Sequence, residues 1–321
     1  MTSSADTRRK ALVTGASGFI GSRLVRALVE DGGDVVALIR PSTSRRRVQD
    51  LAGEVEIVEL ELTEVASHAD AFRGVRVIHH LAAAGVDPRG SDPAALVEAN
   101  VLGTLRLLEL ARKLDVDRFV YAGSCFEYGS GSRVAEDAPL QPRSAYAATK
   151  SAGWLLAEAA AATDGLPVVA LRPFTVYGPS EAPHRLIPSC VLAALEGRPI
   201  ELTAGEQRRD FVYVDDAVEA FVTAASSPAA VGGVFNVCSG IATPVRDVAQ
   251  TIATLSGTLS EVRLGAIPYR KGESDVLTGD PTRAQGILGY RTRTPLPEGL
   301  ARSLEWFREH RHVYEPAEAT G

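Results

Sequence analysis

The segment TGASGFIG, from Thr14 to Gly21, limits most strongly what this chain can fold into. Three glycines, Gly15, Gly18 and Gly21, each three residues after the last, join a short apolar run, ALVTG (11–15), to FIGSRLVRALVEDG, whose Ile20, Leu24, Ala27 and Leu28 share one helical face. A strand that turns at once into a helix needs residues without a Cβ. They let the turn close, let backbone N–H groups approach a ligand, and let helix pack on strand. A helix N-terminus exposed in this way favours an anion such as a diphosphate. The spacing is GxxGxxG, not the GxGxxG of the standard dinucleotide fingerprint. Gly15, Ser17, Gly18, Phe19, Ile20 and Gly21 are the phosphate-binding candidates.

The rest of the first half keeps the rhythm that the turn begins. Strand-like runs at 34–39, 55–60, 75–83, 118–124 and 166–173 alternate with helical patterns, notably 92–114 and 145–162. That alternation predicts an α/β fold, a Rossmann-type doubly wound parallel sheet with a smaller C-terminal substrate lobe. We place the dinucleotide-binding domain at residues 1–173, with returning segments near 211–238, and the lobe at 174–321. Both RRDFVYVDD (208–216) and GVFNVCS (233–239) are expected to return to the main sheet, and a terminal helix is expected near 297–311.

At the end of the second strand, enzymes that prefer NAD place a carboxylate for the ribose 2′-hydroxyl. Here the strand ends ALIRPSTS, with Arg40 and no acid. A guanidinium suits the 2′-phosphate of NADP, and Ser42, Arg45 and Arg46 add donors. NADP(H) is therefore the favoured cofactor, with NAD possible. In YAATK, Tyr146 and Lys150 lie four apart on a predicted helix and share a face. A phenol is a poor acid–base group at neutral pH, and an adjacent ammonium is expected to lower its pKa.

Together these motifs resemble an extended short-chain dehydrogenase/reductase of the nucleotide-sugar epimerase, dehydratase and ketoreductase kind. The resemblance spans nearly the whole chain and includes HLAA (80–83), NVLGT (100–104), LRPFTVYGP (171–179), RRDFVYVDD and FNVCSG (235–240). It implies that Tyr146 is the acid–base, Lys150 its partner, and Ser124 the hydroxyl that holds the reacting oxygen. It further implies that Glu61, Leu62, Leu81, Ala82, Ala83 and Pro173 line the cofactor. Thr175, Arg185, Arg209 and Arg270 are implied on the substrate side, where the two latter arginines clamp a nucleotide diphosphate. Thr175 stands where the family commonly has Asn, which puts the usual amide contact in doubt.

The run Ser124-Cys125-Phe126-Glu127-Tyr128-Gly129 bears on the reaction. Dehydratases of this kind carry an acid–base pair directly after the active hydroxyl; here Cys125 and Phe126 fill those slots and Glu127 is one residue late. A one-residue slip in an extended segment turns a side chain to the other face. The expectation is an NADPH-dependent 4-ketoreductase of a nucleotide-diphosphate 4-keto-6-deoxy sugar. The alternative is an NAD-dependent nucleotide-sugar 4-epimerase, and a more remote one is a non-catalytic NADP-binding regulator.

Composition sets the remaining bounds. A net charge of −6 and a pI near 5.6 give no reason to expect nucleic-acid or membrane partners. Three scattered cysteines without CxxC argue against zinc or a disulfide framework, so no metal and a cytoplasmic setting are expected. His79 and His80 read as buried packing or hydrogen-bonding residues. The resemblance implies a homodimer through a four-helix bundle built from the helices near 92–114 and after Lys150.

Overall fold

The computed structural model describes residues 9–85, 92–269 and 273–311. Seven parallel strands form its centre: β1 (Ala11–Thr14), β2 (Val35–Ile39), β3 (Glu56–Glu59), β4 (Val77–His80), β5 (Arg118–Ala122), β6 (Val168–Pro173) and β7 (Val234–Val237). Their spatial order is β7-β6-β5-β4-β1-β2-β3, so strand progression reverses between β1 and β4. In doubly wound sheets that switch point opens a crevice beyond the carboxyl ends of the strands.

Every residue of β1, β2 and β6 is buried. The reason is that helices cover both faces, which is why these strands read as continuous apolar runs. Helices α1 (Phe19–Glu30) and α4 (Val214–Ser226) pack on the face that carries Val13, Val35 and Leu171. Helices α2 (Gly103–Leu114) and α3 (Ala145–Asp164) cover the opposite face, around Leu12, Val36, Ile78 and Trp154. Each such fully buried Leu, Val or Phe stabilises the fold by about 1.5–3 kcal/mol.

The helix expected at 92–114 is one path with an irregularity. Asp92 caps its start by accepting from the Ala94 N–H at 3.1 Å. Pro93–Val97 is α-helical, Glu98–Leu102 widens into a π turn, and α2 follows.

Beyond β6 the smaller sheets begin. Thr175–Tyr177 pairs in parallel with Phe211–Tyr213, and Gly131–Val134, Arg208–Arg209, Thr243–Pro244 and Val276–Gly279 form a four-stranded sheet. Helices Leu186–Leu195, Val245–Ser256 and Leu296–Glu309 enclose a second core around Val191, Ile252, Leu300 and Phe307.

The expectation for the two returning segments needs correcting at one of them. GVFNVCS supplies β7, but RRDFVYVDD stays out of the main sheet. Strand β6 already has β5 on one side and β7 on the other, so no edge is left. Phe211–Tyr213 instead pairs with the continuation of β6 past Phe174. Asp210 holds this arrangement: its buried carboxylate accepts from the Ser239 N–H and hydroxyl, both at 2.7 Å, and from the Gly240 N–H at 2.9 Å.

Candidate active site

The glycine turn sits at the switch point, and its spacing follows from packing. Gly15 has φ +68°, and a Cβ there would lie 2.8 Å from the Ala82 nitrogen; one at Gly21 would lie 2.1 Å from the Gly15 carbonyl oxygen. The turn therefore presses against the end of β4 and α1 presses against the turn. Gly18 caps α1 without a side-chain hydrogen bond, so no side chain at the cap satisfies the first-turn N–H groups. With Ser17 buried beneath it, this cradle fits the diphosphate of a dinucleotide. Leu81, Ala82 and Ala83 face the turn from the end of β4.

A buried polar chain fixes that end. The Ala82 N–H donates to Thr14 Oγ1 at 3.1 Å, and His80 touches Thr14 through Nδ1 and Thr104 through Nε2, each at 2.9 Å. Thr104 gives its own proton to the Asn100 carbonyl at 2.7 Å. His80 must then donate from Nε2 and accept at Nδ1, which is a neutral ring. Burial agrees, pushing His80 down to about 3 and His79 to about 4. Asn100, in the π turn, holds both polar backbone groups of Ala84 and donates to Thr149 at 2.9 Å.

At the end of β2, Arg40 and Ser42 are exposed, and Arg40 donates to Thr43 Oγ1 at 3.4 Å. Arg45, expected as a further phosphate donor, pairs with Glu59 across to β3. Glu61 is exposed and Leu62 half-buried at the start of the 3-10 segment Leu62–Phe72. Pro173 closes β6 and is buried.

Ser124 and Tyr146 come together beyond β5, and Lys150 lies one turn further along α3. Ser144 caps α3 by accepting from the Ala147 N–H at 3.2 Å, which places Tyr146 in the first turn. Ser124 lies close enough to the Tyr146 phenol to act on its ionisation: burial pushes the phenol up to about 12, and the Ser124 hydroxyl pulls partly against it. The Lys150 ammonium lies 4.5 Å over the Tyr121 ring, and burial brings its pKa down to about 8. Tyr121 in turn donates to the Lys150 carbonyl at 2.7 Å.

Glu127 has a role that its place in the sequence did not indicate. Cys125–Tyr128 forms a 3-10 turn with Ser124 as N-cap, and Glu127 Oε1 accepts from the Ser124 N–H at 2.6 Å. Its other oxygen accepts from Arg172 Nε at 3.0 Å, with both side chains almost wholly inaccessible. Arg172 also donates to Tyr128 Oη at 2.8 Å, and Tyr128 donates to Asn236 Oδ1 at 2.8 Å. This carboxylate is committed to holding Ser124 in place. Cys125 is inert by comparison, since burial pushes its thiol up to about 12.

On the substrate side, Thr175 is half-buried and Arg185 caps Leu186–Leu195. Arg185 reaches Glu181 at 3.5 Å, and its charge lowers the pKa of both Tyr146 and Cys125. Arg209 is mostly buried, pairs with Glu273 at 3.2 Å and also acts on Cys125. A cavity of about 330 Å³ lies beside Glu273, lined also by Arg143 and Asp275. Arg270 lies outside the described residues. Among the described residues no cluster of three His, Cys, Asp or Glu could hold a metal, and no helix is long and apolar enough to cross a membrane.

Residues 11–238 match the model of the NAD dependent epimerase/dehydratase family. The chain belongs to that family. Family members that it resembles include the UDP-glucose 4-epimerase of Mycolicibacterium smegmatis, 34% identical over 93% of this chain and 98% of the relative. The dTDP-glucose 4,6-dehydratase of Streptomyces griseus is 32% identical over 97% of each chain. Among solved structures, MoeE5 in complex with UDP-glucuronic acid and NAD superposes with a TM-score of 0.85 at 37% identity, covering 94% of this chain and 99% of MoeE5. The two named enzymes are an epimerase and a dehydratase, which backs the epimerase alternative better than the ketoreductase.

Proposed function

We propose that this protein is a 4-epimerase of a UDP-hexose or UDP-hexuronate, with Ser124, Tyr146 and Lys150 as its catalytic group. The observation that carries this reading is Ser124, fixed by Glu127, set beside the Tyr146 phenol at the start of α3. Ser124 and Tyr146 share one acceptor position, where the sugar O4 would sit. Tyr146 takes the O4 proton as C4 is oxidised and returns it as C4 is reduced on its other face. The bound nicotinamide supplies the hydride acceptor and donor. Lys150, on the same helix face, would stabilise the phenolate that accepts this proton. Elimination of water needs a further acid–base pair, and Glu127 is unavailable for it because Arg172 and the Ser124 N–H occupy both its oxygens.

Residues 1–173 with β7 hold the dinucleotide in this reading, and residues 174–321 hold the sugar nucleotide through Thr175, Arg185, Arg209 and Arg270. Exposed Val97, Leu102 and Leu155, at 45%, 46% and 53% accessibility, support a homodimer through these helices.

A second reading, the NADPH-dependent 4-ketoreductase, is favoured by one observation: Arg40 at the end of β2 with no carboxylate there. The purified protein separates the two. Retained NAD and conversion of UDP-glucose to its C4 epimer without added cofactor support the epimerase. Consumption of NADPH with a 4-keto-6-deoxy sugar nucleotide supports the reductase. In either case Tyr146→Phe should cut turnover about 10²–10⁴-fold while leaving cofactor content unchanged. Turnover that survives this substitution would remove Tyr146 from the mechanism.

A further inference from the structure

The basic stretch after β2 contains one arginine that faces inward. Arg47 Nη1 donates to the Ser17 carbonyl at 3.2 Å, and its Nε donates to both the carbonyl and the hydroxyl of Ser180, each at 3.0 Å. Ser17 belongs to the glycine turn, and Ser180 lies 133 residues beyond Arg47 in the loop that leads to Arg185. One planar group thus ties the dinucleotide cradle to the substrate side.

Both ends are built to hold. Arg47 is fixed from behind: its carbonyl accepts from Arg26, which forks onto Asp50 at 2.8 and 3.1 Å, and the next residue, Val48, is wholly buried. At the far end Ser180 has φ +68°, a left-handed conformation that a serine seldom adopts and that its surroundings must enforce. The two hydrogen bonds from Arg47 are an enforcement of that kind. From Ser180 the loop passes through buried Glu181 to Arg185, whose charge reaches Tyr146.

We propose that Arg47 is a clasp through which dinucleotide binding sets affinity for the sugar nucleotide, and this rests on the function proposed above. A ligand that orders the Ser17 turn fixes the Arg47 fork. The fork holds Ser180 in its left-handed state, and that state positions the Glu181–Arg185 segment over the catalytic pair. Arg47 is a positioning residue here; it touches neither reacting atom. By linkage the effect is reciprocal, so the sugar nucleotide tightens the dinucleotide by the same factor.

The test is a binding cycle by calorimetry with UDP and NAD as probes, on the full chain stripped of cofactor and on the chain saturated with it. UDP is expected to bind the saturated protein at least about fivefold more tightly. Arg47→Met should bring that ratio close to one, with each ligand still bound alone, and Ser180→Ala, which keeps the carbonyl bond, should reduce it partway. If Arg47→Met folds poorly, Ser180→Ala alone carries the test. Arg47→Lys keeps the charge but loses the fork and should behave like Arg47→Met. A wild-type ratio of one, or a ratio that survives both Arg47→Met and Ser180→Ala, overturns the clasp. Failure of wild-type protein to bind UDP and NAD at all overturns the parent function, and the clasp with it.

Discussion

Two cations are buried within the same region, and their surroundings differ completely. Arg172 is 3% exposed and Lys150 2%. Arg172 donates to Glu127, Tyr128 and the Glu136 carbonyl, and stacks over the Tyr128 ring at 4.8 Å. Lys150 has the face of Tyr121 and a longer-range attraction to the same Glu127, with no carboxylate within ion-pair distance among the described residues. A buried charge with full compensation is a structural member, whereas one kept short of partners has a proton it can lose. The pKa of about 8 at Lys150 is the mark of that difference. The paired site fixes Ser124; the unpaired one is left for chemistry.

Breaking the compensated pair should have the largest effect on stability. Glu127→Ala strands a guanidinium in the core and is expected to cost about 3–5 kcal/mol in urea unfolding. Replacing both partners, as Glu127→Leu with Arg172→Met, should restore most of the loss. A double variant as unstable as the single one would show that the pair contributes through more than charge balance.

Removing the uncompensated charge should act in the opposite direction. Lys150→Met is expected to abolish turnover yet raise stability at pH 7 by on the order of 2–3 kcal/mol. The sign follows from the depressed pKa. Below about pH 8 folded and unfolded chains both carry the proton, and the folded one bears the cost of burying it. Between about 8 and 10.5 only the unfolded chain holds it, so wild-type stability climbs with pH and the advantage of the variant shrinks. Melting temperatures of both proteins across that range check this; parallel curves would contradict it.

The smallest effect sharpens the same contrast. Tyr121→Phe removes the hydrogen bond to the Lys150 carbonyl but keeps the ring under the ammonium. It should cost about 1 kcal/mol and leave the Lys150 titration, followed by the same pH series, where it was.

These contrasts also show what a sequence carries and what it does not. The strands were legible because burial on both faces leaves apolar runs, and the cradle because close packing demands glycine at Gly15 and Gly21. Tyr146 and Lys150 were legible as neighbours on one helix face through their spacing, but spacing does not show the Tyr121 ring that lies under the ammonium. Glu127 read as a misplaced acid because its partner, Arg172, is 45 residues away and meets it only through the order of β5 and β6. RRDFVYVDD was misplaced for a similar reason: its pattern fits a strand, and only the sheet's filled edge decides which one. Arg47 was not legible at all, since nothing local in RPSTSRRR marks it as reaching Ser180.

The π turn at Glu98–Leu102 has a consequence for phase. A π turn accommodates one residue more than an α turn, and each helical residue advances by about 100°. Leu96, 3% exposed, precedes this offset, Asn100, 1% exposed, lies within it, and Thr104 follows it, bonded back to the Asn100 carbonyl. Deleting a single residue within the turn would keep the helix and all its hydrophobic content. It would nonetheless rotate everything before the deletion away from everything after it. Leu96 and the polar chain through Thr104 and His80 would no longer face the sheet together. The extra residue adds rotation rather than contact, and the cofactor-side edge of the site is aligned by it.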